Sequence, residues 1–357
     1  MRDYRKYAQI IEYARLYYEE NKTQEEIAAA FGVSRSSVSR GLKLAHSIGA
    51  VEIRVVDPFS DYSDLAQAVK AQFNLDKVII VPVKDGSYET RKREIGHAAA
   101  AYLETVVTDG LTIGTTWGTT VAAMAEALQA RKDVQVRVVQ LLGAGGHVVA
   151  PTHINEVARR IAQAFRGQWF LLAAPAVVEN ASIRQALERE ELVSTVLEMA
   201  RCADVALIGV GTTDHHFSGA VTLGYISEDE MLAMEELGAV GEICYRFFDA
   251  SGTPCRSGLD DRVIGLSLEE LCRIPMKIGL AGGDNKVEAL WGALRGGYIN
   301  VLITDELTAR NLLDRCLPCE EPHIGVERCS SQIRSLAKAA SSREISCRLS
   351  ALGFRDG

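Results

Sequence analysis

A chain of 357 residues with 47% hydrophobic and 24% charged side chains is globular, about two domains long, and too apolar to be disordered. The net charge of −8 is uneven: residues 1–56 carry 9 Lys/Arg against 7 Asp/Glu, and the remainder 30 against 40. A slightly basic head on an acidic body excludes a uniformly basic nucleic-acid coat but permits DNA binding confined to the head.

Tyr7, Ile10, Ile11, Ala14, Tyr17 and Tyr18 recur at helical spacing and predict a first amphipathic helix. Thr23 opens a second, with Glu26 three residues on in the capping-box arrangement; Ile27 and Phe31 form its inner face and Gly32 ends it. Ser34 caps a third helix, with Val38, Leu42, Ala45 and Ile48 turned inward and Gly49 as its stop. Val51–Val55 alternates like a short strand, the wing of a winged head. Two short helices joined by a tight Gly-containing turn form a helix-turn-helix, whose second helix can enter the major groove. The outer face of that helix carries Ser36, Ser39, Arg40 and Lys43 and no carboxylate, as a surface meeting phosphates and base edges requires. The candidate DNA contacts are Thr23, Gln24, Ser34, Arg35, Ser36, Ser37, Ser39, Arg40 and Lys43. A three-helix bundle with a solvated face is the alternative. The segment Thr23–Arg40 also resembles bacterial repressor helix-turn-helix units.

Asp57-Pro58 breaks the chain and marks the domain boundary. Apolar runs follow at 78–83, 111–114, 134–142, 170–174, 205–210, 278–281 and 299–304, separated by helical patterns such as 121–128 and 288–294. Near-continuous apolar strands alternating with helices predict a mostly parallel sheet covered on both faces, whose ligands bind beyond the carboxyl ends of the strands. Two strand-to-helix loops stand out there. Gly114-Thr115-Thr116-Trp117-Gly118-Thr119-Thr120 offers a close backbone approach and hydroxyls for phosphate or sugar oxygens. Ala281-Gly282-Gly283-Asp284-Asn285-Lys286 bares backbone N–H groups at a helix start and adds a cation there. A lysine at the positive end of a helix dipole is locally unfavourable, so an anion beside it accounts for its presence. The plain alternative is that both loops are tight turns closing βα units. Neither matches Gly-x-Gly-x-x-Gly, no Gly-x-x-x-x-Gly-Lys-Ser/Thr is present, and Gly209-Val210-Gly211 is too short to be specific. No cofactor is expected.

Three further stretches, Gly219–Tyr225, Gly238–Ile243, and Ala281–Ala289 continuing to Leu302–Glu306, are similar to motifs of the SorC/DeoR family of bacterial sugar-responsive transcription regulators. The likeness runs from about residue 5 to residue 314. It implies an isomerase-like, Rossmann-like sugar-phosphate domain at 57–315 behind a helix-turn-helix domain at 1–56, a dimer or tetramer, operator DNA as partner, and a phosphorylated sugar or polyol as effector. By motif, Thr115, Gly118, Thr119, Thr120, Gly282, Gly283 and Lys286 then meet the phosphate or sugar, and Glu242 accepts bonds from sugar hydroxyls. Some relatives carry an arginine after the third strand. Leu141–Gly146 has none, and Gln140 stands as its substitute.

Weaker signals have plainer readings. Asp214-His215-His216 reads as a surface loop before a metal or proton-transfer site. Cys316, Cys319, His323 and Cys329 begin like a zinc site, but the later spacing fits no standard finger, and no metal is expected. Residues 316–357 read as a tail, and Asp260-Asp261 has no evident carboxylate partner. No apolar run of about 18 residues and no leader pattern is present. With eight scattered cysteines, the expected location is a reducing cytoplasm, away from membranes. Two functions remain: a ligand-gated DNA-binding regulator, or a sugar-phosphate isomerase or deaminase using Asp284 or Glu242 as base. Neither acid has an acid–base partner evident in the sequence.

Overall fold

The computed structural model describes residues 2–18, 20, 22–48, 50–51, 62–82, 87–129, 134–144, 153–214, 217–222 and 224–315. The chain divides into two compact units, residues 1–60 and 61–357.

In the first unit, helices α1 (Arg2–Tyr18), α2 (Gln24–Phe31) and α3 (Arg35–Ser47) surround a small core of Ile10, Tyr13, Ala14, Ile27, Ala28, Val38, Leu42 and Ala45. The capping box forms: Glu26 N donates to Thr23 Oγ1 at 3.2 Å, and Thr23 N donates to Glu26 Oε2 at 2.8 Å. Gly32 closes α2 in the left-handed conformation (φ 64°), and Ser34 Oγ accepts from Ser37 N at the start of α3. The inner face of α1 differs from expectation. Tyr7, Ile11 and Tyr18 are 40–45% exposed, and the unforeseen Tyr13 is buried against Phe31 and Gly41. An apolar helix offers more than one stripe, and the partners α2 and α3 select the one at 10, 13 and 14. Ile48, one residue past α3, is also exposed. The expected wing strand 51–55 lies outside the described residues apart from Val51, which packs on this core.

The second unit runs α4 (Ser63–Phe73), β1 (Lys77–Val81), α5 (Tyr88–Val106), β2 (Thr112–Thr115), α6 (Thr119–Ala127), β3 (Arg137–Gln140), α7 (Ile154–Ala164) and β4 (Gln168–Phe170). There follow α8 (Ala181–Arg189), α9 (Glu191–Arg201), β5 (Val205–Gly209), β6 (Gly211–Thr212), α10 (Gly219–Thr222), α11 (Glu228–Glu236), β7 (Ala239–Ile243) and β8 (Arg246–Asp249). The described part closes with α12 (Leu268–Cys272), β9 (Met276–Leu280), α13 (Val287–Arg295), β10 (Val301–Asp305) and α14 (Glu306–Asp314). Seven strands form one parallel sheet in the order β1-β10-β9-β5-β2-β3-β4. Both faces are covered, which is why the strands read as unbroken apolar runs. Along β5, Ala206 and Ile208 enter one core and Val205 and Leu207 the other.

Strand boundaries shift where burial and pairing part company. Of the run 134–142 only Arg137–Gln140 joins the ladder, although Val134, Val136, Leu141 and Leu142 are buried. The run expected at 170–174 forms a shorter strand that starts two residues earlier, Gln168–Phe170, because the chain leaves the sheet edge while Leu172 and Ala174 still fill the core. The antiparallel sheet β6-β7-β8 was not anticipated. Its central strand β7 packs Gly241 directly on Ala289 of α13, leaving no room for a side chain.

Candidate ligand cleft and nucleic-acid interface

From β2 the chain moves outward through β3 to β4, then returns to the other side of β2 for β5, β9 and β10. The direction reverses between β2 and β5, so the crevice at their carboxyl ends is where such a sheet binds ligands. The loops after β2, β5 and β9 border it. Thr116 ties two of them together: its Oγ1 accepts from Gly209 N at 3.0 Å and donates to Trp117 O at 3.1 Å.

Beyond β9, the turn Asp284–Lys286 leads into α13. Gly283 has φ 110°, which an L side chain rarely adopts, and a Cβ on Gly282 would lie 2.3 Å from Asp305 Oδ2. Both glycines are therefore required. The N–H of Gly283 is not free for a ligand, however: it donates to Thr308 Oγ1 at 2.7 Å and to Asp305 Oδ2 at 3.0 Å. What the loop presents is Lys286. Lys286 is half-buried as a residue; its ammonium faces the charges of Glu242 and Asp214, and burial pushes its pKa down to about 8 against their pull. Glu242 is buried on β7 over Gly211, with no room for a side chain there. Burial pushes its carboxyl up, opposed by the N–H of Tyr245, which donates to Oε2 at 2.8 Å, and by Lys286. That N–H is aimed by a two-residue turn with Cys244 and Tyr245 both at positive φ, 56° and 59°. Such turns favour Asn-Gly, and two bulky residues in this conformation store strain. Trp117, Tyr225 and Tyr245 form a ring cluster with centroids 5.4–5.7 Å apart.

Of the expected effector contacts, Gly118 heads α6, with Thr119 exposed and Thr120 half-buried in its first turn. Two others are engaged internally. Thr115 is fully buried and donates its hydroxyl to Thr116 O. Gln140 is fully buried, donating to Asn155 Oδ1 at 2.5 Å and accepting from Leu172 N at 2.8 Å. Gln140 thus braces β3, α7 and the exit of β4. Asp260, for which the sequence offered no carboxylate partner, accepts from Arg246 Nη1 at 3.2 Å. Asp284 is exposed and accepts from Asn311. Among the described residues no group of three or more His, Cys, Asp or Glu could hold a metal ion. His215, His216 and residues 316–357 lie outside the described residues. Sequence reasoning missed Arg91, Thr308 and the aromatic cluster. Tyr225 does end the quoted stretch 219–225, but Arg91 had no local signal.

In the head, Arg40, Lys43 and Ser36 are exposed on α3, with Ser37 and Ser39 half-buried. Arg40 Nε donates to Ser36 O at 3.3 Å. Arg35 pairs with Glu25 of α2 at 2.9 Å in solvent, an acid that the view of α3 alone had left out. Thr23 is exposed with its side chain used in the cap, Gln24 is half-buried, and exposed Ser34 touches the hydroxyls of Ser36 and Ser37.

A helix-turn-helix head followed by a parallel α/β body with a cleft at its switch point defines a DNA-binding regulator with a small-molecule domain. A sugar-binding domain family matches residues 57–314, and region 4 of sigma-70 matches residues 9–45. The chain is 37% identical over 304 residues to the deoxyribonucleoside regulator of Bacillus subtilis (strain 168), covering 85% of this chain and 96% of that protein. It is 31% identical over 310 residues to the transcriptional regulator LsrR of Escherichia coli (strain K12), covering 85% and 94%. The crystal structure of the full-length sorbitol operon regulator SorC from Klebsiella pneumoniae is similar with a TM-score of 0.70 at 28% identity, covering 85% of this chain and 97% of that one. The chain belongs to the SorC/DeoR family of transcriptional regulators, and the enzyme alternative falls because these relatives are regulators. Among the described residues no helix is long and apolar enough to cross a membrane.

Proposed function

We propose that the body receives a phosphorylated sugar or polyol, and that this effector controls how a cytoplasmic homo-oligomer of the chain engages the operator of a carbohydrate-utilisation operon. The observation that carries this reading is Lys286: a desolvated ammonium after a double-glycine turn, set beside the buried Glu242. An anion restores the stabilisation that burial removes from the ammonium, and a carboxylate beside it accepts hydroxyls of the same ligand. Gly118, Thr119 and Thr120 at the head of α6 complete the polar lining. On the head, Arg40 and Lys43 are the leading DNA contacts, with Arg35, Thr23, Gln24, Ser34, Ser36, Ser37 and Ser39 around them. One head covers only roughly 600–1,000 Å² of DNA, so tight recognition needs two copies and repeated half-sites. The effector shifts the equilibrium only as far as it binds one arrangement more tightly than the other.

Thermal shift against paired phosphorylated and unphosphorylated sugars tests the effector class. A phosphorylated ligand at 100 times its dissociation constant adds about 2.7 kcal/mol of stability. Equal stabilisation by the unphosphorylated parent sugar overturns the phosphate reading.

A further inference from the structure

Strand β4 closes one side of the seven-stranded sheet, and among the described residues no strand pairs with its outer edge. In a parallel ladder alternate residues turn their backbone groups to the same neighbour. Gln168 N donates to Val136 O at 3.0 Å and Leu172 N to Gln140 Oε1 at 2.8 Å, so Gln168, Phe170 and Leu172 face inward. The N–H and C=O groups of Trp169 and Leu171 are therefore aimed outward. Ala174 N donates to Leu172 O at 2.8 Å, a tight bend that ends the open stretch.

The side chains follow the same period of two. Phe170, Leu172 and Ala174 pack into the core on one face of the sheet. Trp169 stands in register with Val138, which joins Val157 and Ile161 of α7 in the core on the other face. On that face Trp169 and Leu171 remain 41% and 43% exposed. Sheet edges are ordinarily protected by charged residues. This one has none: residues 167–178 are uncharged, in a body with 40 acidic against 30 basic residues.

We infer that β4 is a self-pairing edge, through which two copies of the body join antiparallel about a two-fold axis at Phe170, making one continuous sheet. In an antiparallel pair, facing residues exchange both backbone hydrogen bonds. With the axis at Phe170, Trp169 faces the partner's Leu171 and Leu171 the partner's Trp169, so all four outward residues are satisfied. A rotation about the sheet normal keeps their side chains on one face, where each tryptophan covers a leucine between the two α7 helices. Charge selects the occupant. Two acidic bodies repel across most of their surface, and an uncharged apolar edge is where like-charged copies can meet.

Sedimentation of the full chain, with amide hydrogen exchange, tests this. Wild type is at least a dimer, and the amides of Trp169 and Leu171 exchange slowly in it and quickly once dilution separates the copies. Trp169→Glu and Leu171→Lys each put a charge into the pair, weaken association about tenfold or more and lower the sedimenting mass by about half. Combining Trp169→Glu with Leu171→Lys sets opposite charges across the axis and restores association in part, as only this register allows. A wild type that is monomeric at every concentration, an unchanged mass in both single variants, or no recovery in the double variant overturns the proposal. So do freely exchanging amides in an oligomer, which leave the homo-oligomer reading standing and put its interface elsewhere. Protection that survives dilution to monomer shows another segment of this chain on the edge and overturns it too. The exchange measurement needs no substitution, so a variant that fails to fold does not shield the proposal.

Discussion

The outer face of α3 and the loops of the body both carry cations, but they hold them in opposite ways. On α3, Arg40 and Lys43 stand in solvent, and Arg35 is held only by an exposed pair with Glu25. Such charges act through number, reach and counterion release, and salt screens them. In the body, burial pushes the Lys286 ammonium's pKa down among Glu242 and Asp214, and Arg91 is packed over a glycine turn and paired with the buried Asp305 at 3.3 Å. These act through geometry, and burial gives their loss a larger and more local effect. A polyanion of many equivalent phosphates is served by the first arrangement, and a single small ligand by the second.

The comparison breaks most visibly at Lys286. Lys286→Glu sets a like charge against the ligand and abolishes effector binding. Lys286→Ala removes one charge-assisted contact, about 1.5–3 kcal/mol or tenfold or more in affinity. Operator affinity without effector stays unchanged in both, since the head is a separate unit. The same residue predicts a pH dependence. With its pKa near 8 in the free protein, the ammonium is present below about pH 7 and lost as pH rises through 8. A bound anion raises the value, so binding takes up a proton and affinity falls by up to about tenfold per unit above pH 8. Calorimetry from pH 6.5 to 9.5 checks this, and wild-type affinity in Lys286→Ala removes the lysine from the site.

Arg40→Ala sharpens the other half. If Arg40 reads a base, operator binding weakens by about 1–3 kcal/mol and discrimination relaxes at one position. If it meets phosphate only, binding weakens alike on every sequence and the salt slope flattens by about one unit. Unchanged binding to all DNA would exclude it from the interface.

Gln140→Leu tests whether a buried polar group in the body serves structure or ligand. Losing both amide bonds leaves Leu172 N–H and Asn155 unpaired and costs about 1–3 kcal/mol of body stability in urea unfolding. Effector affinity stays within about twofold; a selective affinity loss at unchanged stability would return Gln140 to the binding role. The smallest effect belongs to Thr23→Ala, which removes the capping box and costs the head about 1 kcal/mol while the body melts as before.

Much of this was legible along the chain. The capping box at Thr23 and Glu26, the Gly32 stop and the buried stripe Val38, Leu42 and Ala45 are interactions three or four residues long, and they formed as read. The glycines at 282 and 283 and Lys286 were also found, because a turn between strand and helix has its own residue requirements. Tyr7, Ile11 and Tyr18 were misplaced because α1 is apolar on more than one side and only its neighbours choose which side is buried. The strands of the small antiparallel sheet escaped notice because they are only two to five residues long and β7 takes its burial from α13.

By itself the sequence determined the alternation of strands and helices in the parallel body, the helix-turn-helix head and the two glycine-containing strand-to-helix loops, since alternation, helical period and capping are local. Only the tertiary structure decided which polar groups remain free to meet a ligand. Gln140 and the N–H of Gly283 are taken by partners distant in sequence, at Asn155, Leu172, Asp305 and Thr308. Arg91, which no motif marks, is carried by α5 across to the turn after β9, where it pairs with the buried Asp305 at 3.3 Å. Hydrogen-bond partners and burial belong to the packed chain, so the residues competing for a donor come together only once the sheet has formed.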